Sequence, residues 1–422
     1  MNWGKSTISK TIKEKVLSFL PLGIGMVAGG MCGLVMIKLG NGFLLYSSSL
    51  WGYIVQYAVM LMLLLVILFL HTTIHEVGHL VCGLLTGYRF CSYRIKNVML
   101  IRIKGAYKLK RYALPGALEQ CIMAPPDMVD GKMPYMLYYL GGGLFNLLLS
   151  IVGFTGALFC KEGSGMLLFC MVLGIIGIAY ALVNLIPMEL SEGNNDGYNI
   201  RAIRKHPEEK RALWIQMKVM EQLTEGVRLK DMPEEWFTLP SDEAMQSSIC
   251  SVLGALACSR LVDSMELQEA DDLMKRMLEM ETGMPRFYKN LLLEDRIYCE
   301  LVGENSLQNL LELKCGQQAM FEADMAHSPY IIRVRYAYNL LSAIAQKEEA
   351  PDIFACMELI PTKRAPSGDE MAMESKARFE KCVRTYPYTG EVESQRELMA
   401  YTDVQKERLR ARIRLEKSGE NE

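Results

Sequence analysis

The sequence predicts a mainly α-helical chain: a polytopic membrane domain of about four spans with a small membrane-associated β region, then a cytoplasmic α-helical domain with a repeat-like run of helices. Three observations carry this. Long apolar runs are confined to residues 16 to about 190, and charges concentrate after 200. The connection 88–133 interleaves branched, aromatic and cationic side chains. A boundary near 200 therefore separates a membrane half, 1–200, from a soluble half, 201–422. The formal net charge of −2 gives no bulk attraction for nucleic acid, and no basic patch with interleaved aromatics appears in the soluble half.

Crossing a hydrocarbon layer of ~30 Å takes about 20 helical residues. Four stretches qualify, at 16–38, 51–85, 134–160 and 166–190. The first follows Lys5, Lys10, Lys13 and Lys15 and reads as an uncleaved anchor. Nine basic residues against three acids lie in 86–133, whereas 39–50 carries no charge. Every basic segment falls on one side if both termini are cytoplasmic, which makes this a multi-pass cell-membrane protein. The second stretch is overlong for one bilayer, so it tilts, kinks or begins late. Twelve cysteines without paired spacing read as free thiols, and point to a reducing compartment for the soluble half.

That second stretch ends in "HTTIHEVGHLVCGLL", residues 71–85. His75 and His79 stand four apart, on one helix face, where both imidazoles reach one ion. Glu76 projects beside them, placed to take a proton from a metal-bound water. Zinc suits two imidazoles and a carboxylate with one open position. The rival reading is a chance match. An unpaired carboxylate in a membrane helix costs roughly 2.5–3.5 kcal/mol, and a metal in a water-filled cavity accounts for that placement where chance does not. The orientation places this cluster near the cytoplasmic side. His71, four residues earlier, shares the face and is expected to sit behind the ligands or at the interface rather than to ligate.

The fourth span ends "ALVNLIPMELSEGNNDGYNI", residues 181–200. Together, HEVGH, NLIP and NNDG resemble the site-2 protease family of intramembrane zinc metalloproteases. The resemblance spans about residues 70–200. It implies Asp196 as third ligand and Zn2+ as cofactor. It also implies cleavage of membrane-embedded or membrane-proximal polypeptides, such as an anchored regulator or a precursor peptide. The chain departs from the family pattern in placing eight residues between Pro187 and Asp196, and Glu189 and Glu192 within that insertion compete as ligands. An Asn-Asp-Gly turn presenting Asp196 backwards favours the aspartate. "LGGGLFNLLLS", residues 140–150, resembles the family's G-x-x-x-N element and makes Asn146 a candidate substrate contact; plain helix packing by its glycines is the alternative. Asn195 and Gln120 are further candidate substrate-binding residues.

"MLIRIKGAYKLK", residues 99–110, alternates apolar and basic and reads as short strands at the lipid headgroups. Its exposed edge would hold an extended substrate by main-chain pairing; a plain topology signal is the alternative. Beyond 200, helical periodicity recurs at 208–224, 243–262, 265–281, 286–302, 305–325, 329–346, 369–385 and 391–417. The helices are tetratricopeptide-like in length, although no 34-residue unit aligns. This half holds no catalytic constellation, so its expected role is to recruit or gate substrate or to bind a cytoplasmic protein partner. The rival to an enzyme is an inactive membrane-anchored scaffold that binds partners through this helical array.

Overall fold

A computed structural model describes residues 3–43, 49–112, 119–190, 193–304, 307–313, 316–348 and 368–418. Four helices are long and apolar enough to cross a membrane. They are α1 (Trp3–Phe43, apolar over Phe19–Leu39), α2 (Leu50–Leu85), α3 (Met136–Leu158) and α4 (Gly165–Leu185). Each lies within a few residues of its expected span. The overlong segment is one unbroken helix of 36 residues, capped at Ser49, whose hydroxyl accepts from the Gly52 amide. At 1.5 Å per residue it extends about 54 Å. Its first half is exposed and apolar (Trp51, Tyr57, Leu61, Met62, Leu65), as a face against acyl chains would be. Its buried side chains cluster late, from Ile67 to Gly83.

The chain clusters into two compact units. The first comprises Met1–Ile95 and Glu119–Lys210. Its core between α1, α2 and α4 is formed by Ala28, Cys32, Ile67, Leu168, Val172, Leu173, Ile175 and Ile176. Helices α2 and α3 approach more closely than side chains allow. A Cβ on Gly78 would stand 2.2 Å from the Gly141 carbonyl oxygen, and one on Gly141 would stand 2.4 Å from that of Gly78.

The basic connection forms strands as expected: β1 (Arg89–Ile95), β2 (Val98–Ile103), β3 (Ala106–Arg111) and β4 (Glu119–Ala124), one antiparallel sheet in the order β3-β2-β1-β4. In the first unit β1 pairs with β4, Tyr93 opposite Cys121, with a bulge between Phe90 and Ser92. In the second, β2 pairs with β3 from Val98 opposite Arg111 to Ile103 opposite Ala106, burying Met99, Ile101 and Ile103. A short pairing of β5 (Glu189–Leu190) with β6 (Gly193–Asn194) precedes α5 (Asp196–Lys205).

The second unit comprises Lys96–Leu118 and Arg211–Glu422. Its helices include α7 (Ser248–Asp263), α8 (Leu267–Glu279), α9 (Arg286–Val302), α12 (Pro329–Lys347), α13 (Gly368–Thr385) and α14 (Thr389–Ser418), close to the expected ranges. Within the helix expected at 305–325, the described residues form α10 (Leu307–Leu313) and α11 (Gly316–Asp324). The core includes Met274, Met277, Leu292, Tyr298, Leu341 and Leu398. It also holds an ion pair, Arg333 Nη2 to Asp295 Oδ1 at 2.5 Å, both residues almost fully buried, with the guanidinium 4.2 Å from the Tyr298 ring. The ten cysteines among the described residues are all free thiols.

Near that pair, Glu391 Oε2 accepts from the Tyr386 hydroxyl at 2.5 Å. Burial pushes this carboxyl up to about 7, against the lowering effect of the Tyr386 and Tyr330 hydroxyls. The folded-state value lies above the ordinary 4.5, so the associated stability is complete below about 4.5 and is lost as pH rises through about 7. The full shift is worth roughly 3 kcal/mol, less a discount for the partial exposure of the side chain. Hydrogen exchange of α9, α12 and α14 amides should show opening becoming easier across this window in the wild type, with a flatter response in Glu391→Gln.

Candidate metal centre

The helix carrying HEVGH delivers two imidazoles to one point. His75 Nε2 and His79 Nε2 lie 3.1 Å apart, their rings edge to face at 83°. Asp196 Oδ2 stands 3.3 Å from each. Tetrahedral zinc with N and O ligands at about 2.0–2.1 Å separates its ligand atoms by about 3.3 Å. The triangle therefore has the dimensions of three corners of such a site. All three side chains are largely buried, and the Asp196 oxygen facing the rings accepts no hydrogen bond of normal geometry. A cation there would complete the coordination of an otherwise orphaned buried atom. Burial alone would push the Asp196 carboxyl up; His79, and the bonds to both imidazoles, outweigh it and hold the group at about 2, ionised at neutral pH as a ligand must be.

Asp196 reaches the imidazoles because the insertion before it folds back on itself. Glu189 pairs with Asn194 and Leu190 with Gly193, which returns the chain to Met188. Asn195 fastens this closure. Its Oδ1 accepts from the Met188 and Tyr198 amides, capping α5, while its Nδ2 donates to the Val183 and Ile186 carbonyls at the end of α4. Both donors and both acceptor positions of the Asn195 amide, a candidate substrate contact, are engaged in these internal bonds. The next glycine lets α5 sit against α4: a Cβ on Gly197 would stand 2.3 Å from the Leu185 carbonyl oxygen. Of the rival ligands, Glu189 lies in β5, and Glu192 falls outside the described residues.

Each imidazole of the triangle is held from behind. His79 Nδ1–H donates to the Tyr138 carbonyl at 2.9 Å, beneath a stack of Tyr138 on Tyr88 at 4.5 Å. Behind His75 lies Asn146, fully buried, with its Nδ2 3.2 Å from His75 Nδ1 and its Oδ1 3.1 Å from His71 Nδ1. Asn146, a candidate substrate contact, thus stands between two histidines. His71 also does not reach the metal triangle; it bonds Asn146 and the Leu173 carbonyl. The glycine element adds clearance, since a Cβ on Gly142 would lie 2.3 Å from His75 Cε1. Packing and site are thus joined in that motif rather than alternative to one another.

Glu76 follows His75 on α2 and is partly buried. Its carboxylate lies within electrostatic reach of His79 and of Cys121 of β4. Gln120, a candidate substrate contact, lies on β4 opposite Arg94 and is partly buried. Sequence reasoning missed the Tyr138 carbonyl, for which no side-chain pattern exists, and Gly78, which occupies a variable position of the H-E-x-x-H pattern.

Comparison with protein-family models, curated proteins and solved structures finds no match to this chain.

Two substitutions separate packing from ligation. Gly78→Ala meets backbone and should lower the midpoint of thermal unfolding in detergent by the equivalent of about 1–3 kcal/mol. Gly142→Ala meets the edge of the His75 ring, and should weaken Zn2+ affinity roughly tenfold or more in competition titrations while disturbing unfolding less than Gly78→Ala. Asp196→Asn should weaken Zn2+ by about 100-fold or more, read by the same titration, because it removes the sole anionic ligand of the triangle.

Proposed function

We propose that this chain is an intramembrane zinc metalloprotease of the site-2 protease type, acting on membrane-embedded or membrane-proximal polypeptides. The carrying observation is the convergence of His75 Nε2, His79 Nε2 and Asp196 Oδ2 within 3.3 Å of one another, with Glu76 next to His75 on a helix apolar enough to cross a membrane. Zn2+ held by these three side chains would supply an acidified water and a positive charge that polarises the scissile carbonyl. Glu76 takes the proton of the attacking water as its oxygen bonds to the carbonyl carbon. Glu76 then returns that proton to the amine nitrogen as the C–N bond breaks.

An extended substrate fits the edge of the sheet. Strand β4 is terminal in the order β3-β2-β1-β4 and packs on α2, its Met123 side chain lying over Gly83. Among the described residues β4 pairs with β1 alone, and its other edge would offer main-chain donors and acceptors to an extended substrate. The lysine and arginine distribution supports an orientation with both termini in the cytoplasm and the centre near that side. The helices after 211 then serve to recruit or gate substrate, or to bind a cytoplasmic partner.

Purified protein in detergent tests this, through metal content and cleavage of unfolded casein and of single-span peptides. We expect one Zn2+ per chain in the wild type and in Glu76→Gln, its loss in His75→Ala and His79→Ala, and cleavage by the wild type alone. Unimpaired cleavage by Glu76→Gln would overturn the assignment. A metal-free protein indifferent to either histidine substitution would favour the membrane-anchored scaffold.

A further inference from the structure

His71 is fully buried and lies outside the metal triangle, yet it takes part in a chain of hydrogen bonds that ends on a ligand. Its Nε2 is 2.9 Å from the Leu173 carbonyl oxygen in α4. Its Nδ1 is 3.1 Å from one end of the Asn146 amide in α3, and the other end of that amide is 3.2 Å from His75 Nδ1. Gly177 makes the reach into α4 possible, because a Cβ there would lie 2.4 Å from His71 Cε1. The Tyr180 ring stacks beside His71 at 5.6 Å.

The protons in this chain can be counted from its end. A carbonyl only accepts, so His71 Nε2 carries a hydrogen. With the amide oxygen towards His71, His71 Nδ1 must also carry one. His71 would then be an imidazolium buried among apolar helices, its partners an amide and a carbonyl, and no ion pair to it occurs among the described residues. Burying a charge without a counter-charge is strongly unfavourable. The two ends of an amide are nearly isosteric, so exchanging them preserves both separations. The amide nitrogen then donates to a bare His71 Nδ1, and the amide oxygen accepts from His75 Nδ1–H. Each hydrogen bond of the chain then has one donor and one acceptor, and every group in it is neutral. His75 is left with a lone pair on Nε2, the atom that faces His79 and Asp196.

We propose that His71 and Asn146 form a positioning chain from α4 to the metal centre. The Leu173 carbonyl sets the tautomer of His71, His71 sets the orientation of the Asn146 amide, and the amide oxygen holds His75 as the Nδ1–H tautomer that ligates through Nε2. The Tyr138 carbonyl does the same for His79 in one step. This rests on the metal-centre reading above, and it makes His71 a positioning residue rather than a ligand.

Nitrogen-15 NMR of histidine-labelled, Zn2+-loaded protein in detergent tests it. The chain has five histidines, and the His71 signals are assigned by their loss in His71→Gln. One protonated and one bare nitrogen are expected on His71; two protonated nitrogens overturn the proposal. In parallel, His71→Phe, which keeps a ring but accepts nothing, should weaken Zn2+ at least tenfold. His71→Gln, whose amide oxygen can accept from Asn146, should restore most of that loss. Equal affinities for wild type and His71→Phe, or equal losses in both variants, overturn it. A wild type that binds no Zn2+ defeats the metal-centre reading itself, a separate result from either.

Discussion

The close approach of α2 to α3 is the constraint on which the rest of the first unit depends. Gly78 and Gly141 let two backbones meet where a single methyl on either would collide with a carbonyl oxygen. Gly78 sits between the two histidines of the candidate site in sequence, so the contact sets how deeply both imidazoles lie against α3. It brings the Tyr138 carbonyl within 2.9 Å of His79 and Asn146 within 3.2 Å of His75. In a bilayer such contacts gain little from the hydrophobic effect, because acyl chains are as apolar as leucine. Close packing and internal hydrogen bonds then carry the association, and small residues permit both.

Polar groups inside the helical unit are accordingly engaged with one another. His71, Asn146 and His75 tie α2, α3 and α4 in one line of hydrogen bonds, with Ser150 bonded to the Asn146 carbonyl alongside. Asn195 does comparable work at the end of α4, where four bonds to one amide close the insertion and start α5. The third member of the triangle is thereby carried on a pinned helix start rather than on a free loop. The second unit uses the same logic with charges, burying Arg333 against Asp295 and the Tyr298 ring.

Much of this was legible in the sequence. Hydropathy located the four long apolar helices within a few residues, because sustained apolar runs of this length are read directly from the side chains. Alternation of apolar and basic residues located the strands, and period-3.6 patterns located the later helices among the described residues. The pairing of His75 with His79 follows from helix geometry alone, since residues four apart share a face.

What the sequence determined by itself was local: which segments are helices, which residues share a helix face, and which side chains have the chemistry to hold a cation. Only the tertiary structure decided which distant groups meet. It brought Asp196 to the histidines across an insertion whose length argued against it, because pairing of residues 189–190 with 193–194 removes those residues from the path. It also joined Asn146 and Asn195 to hydrogen-bond partners on other segments. Sequence spacing carries no record of either outcome. Both arise from donors and acceptors on separate helices that must find partners once water is excluded.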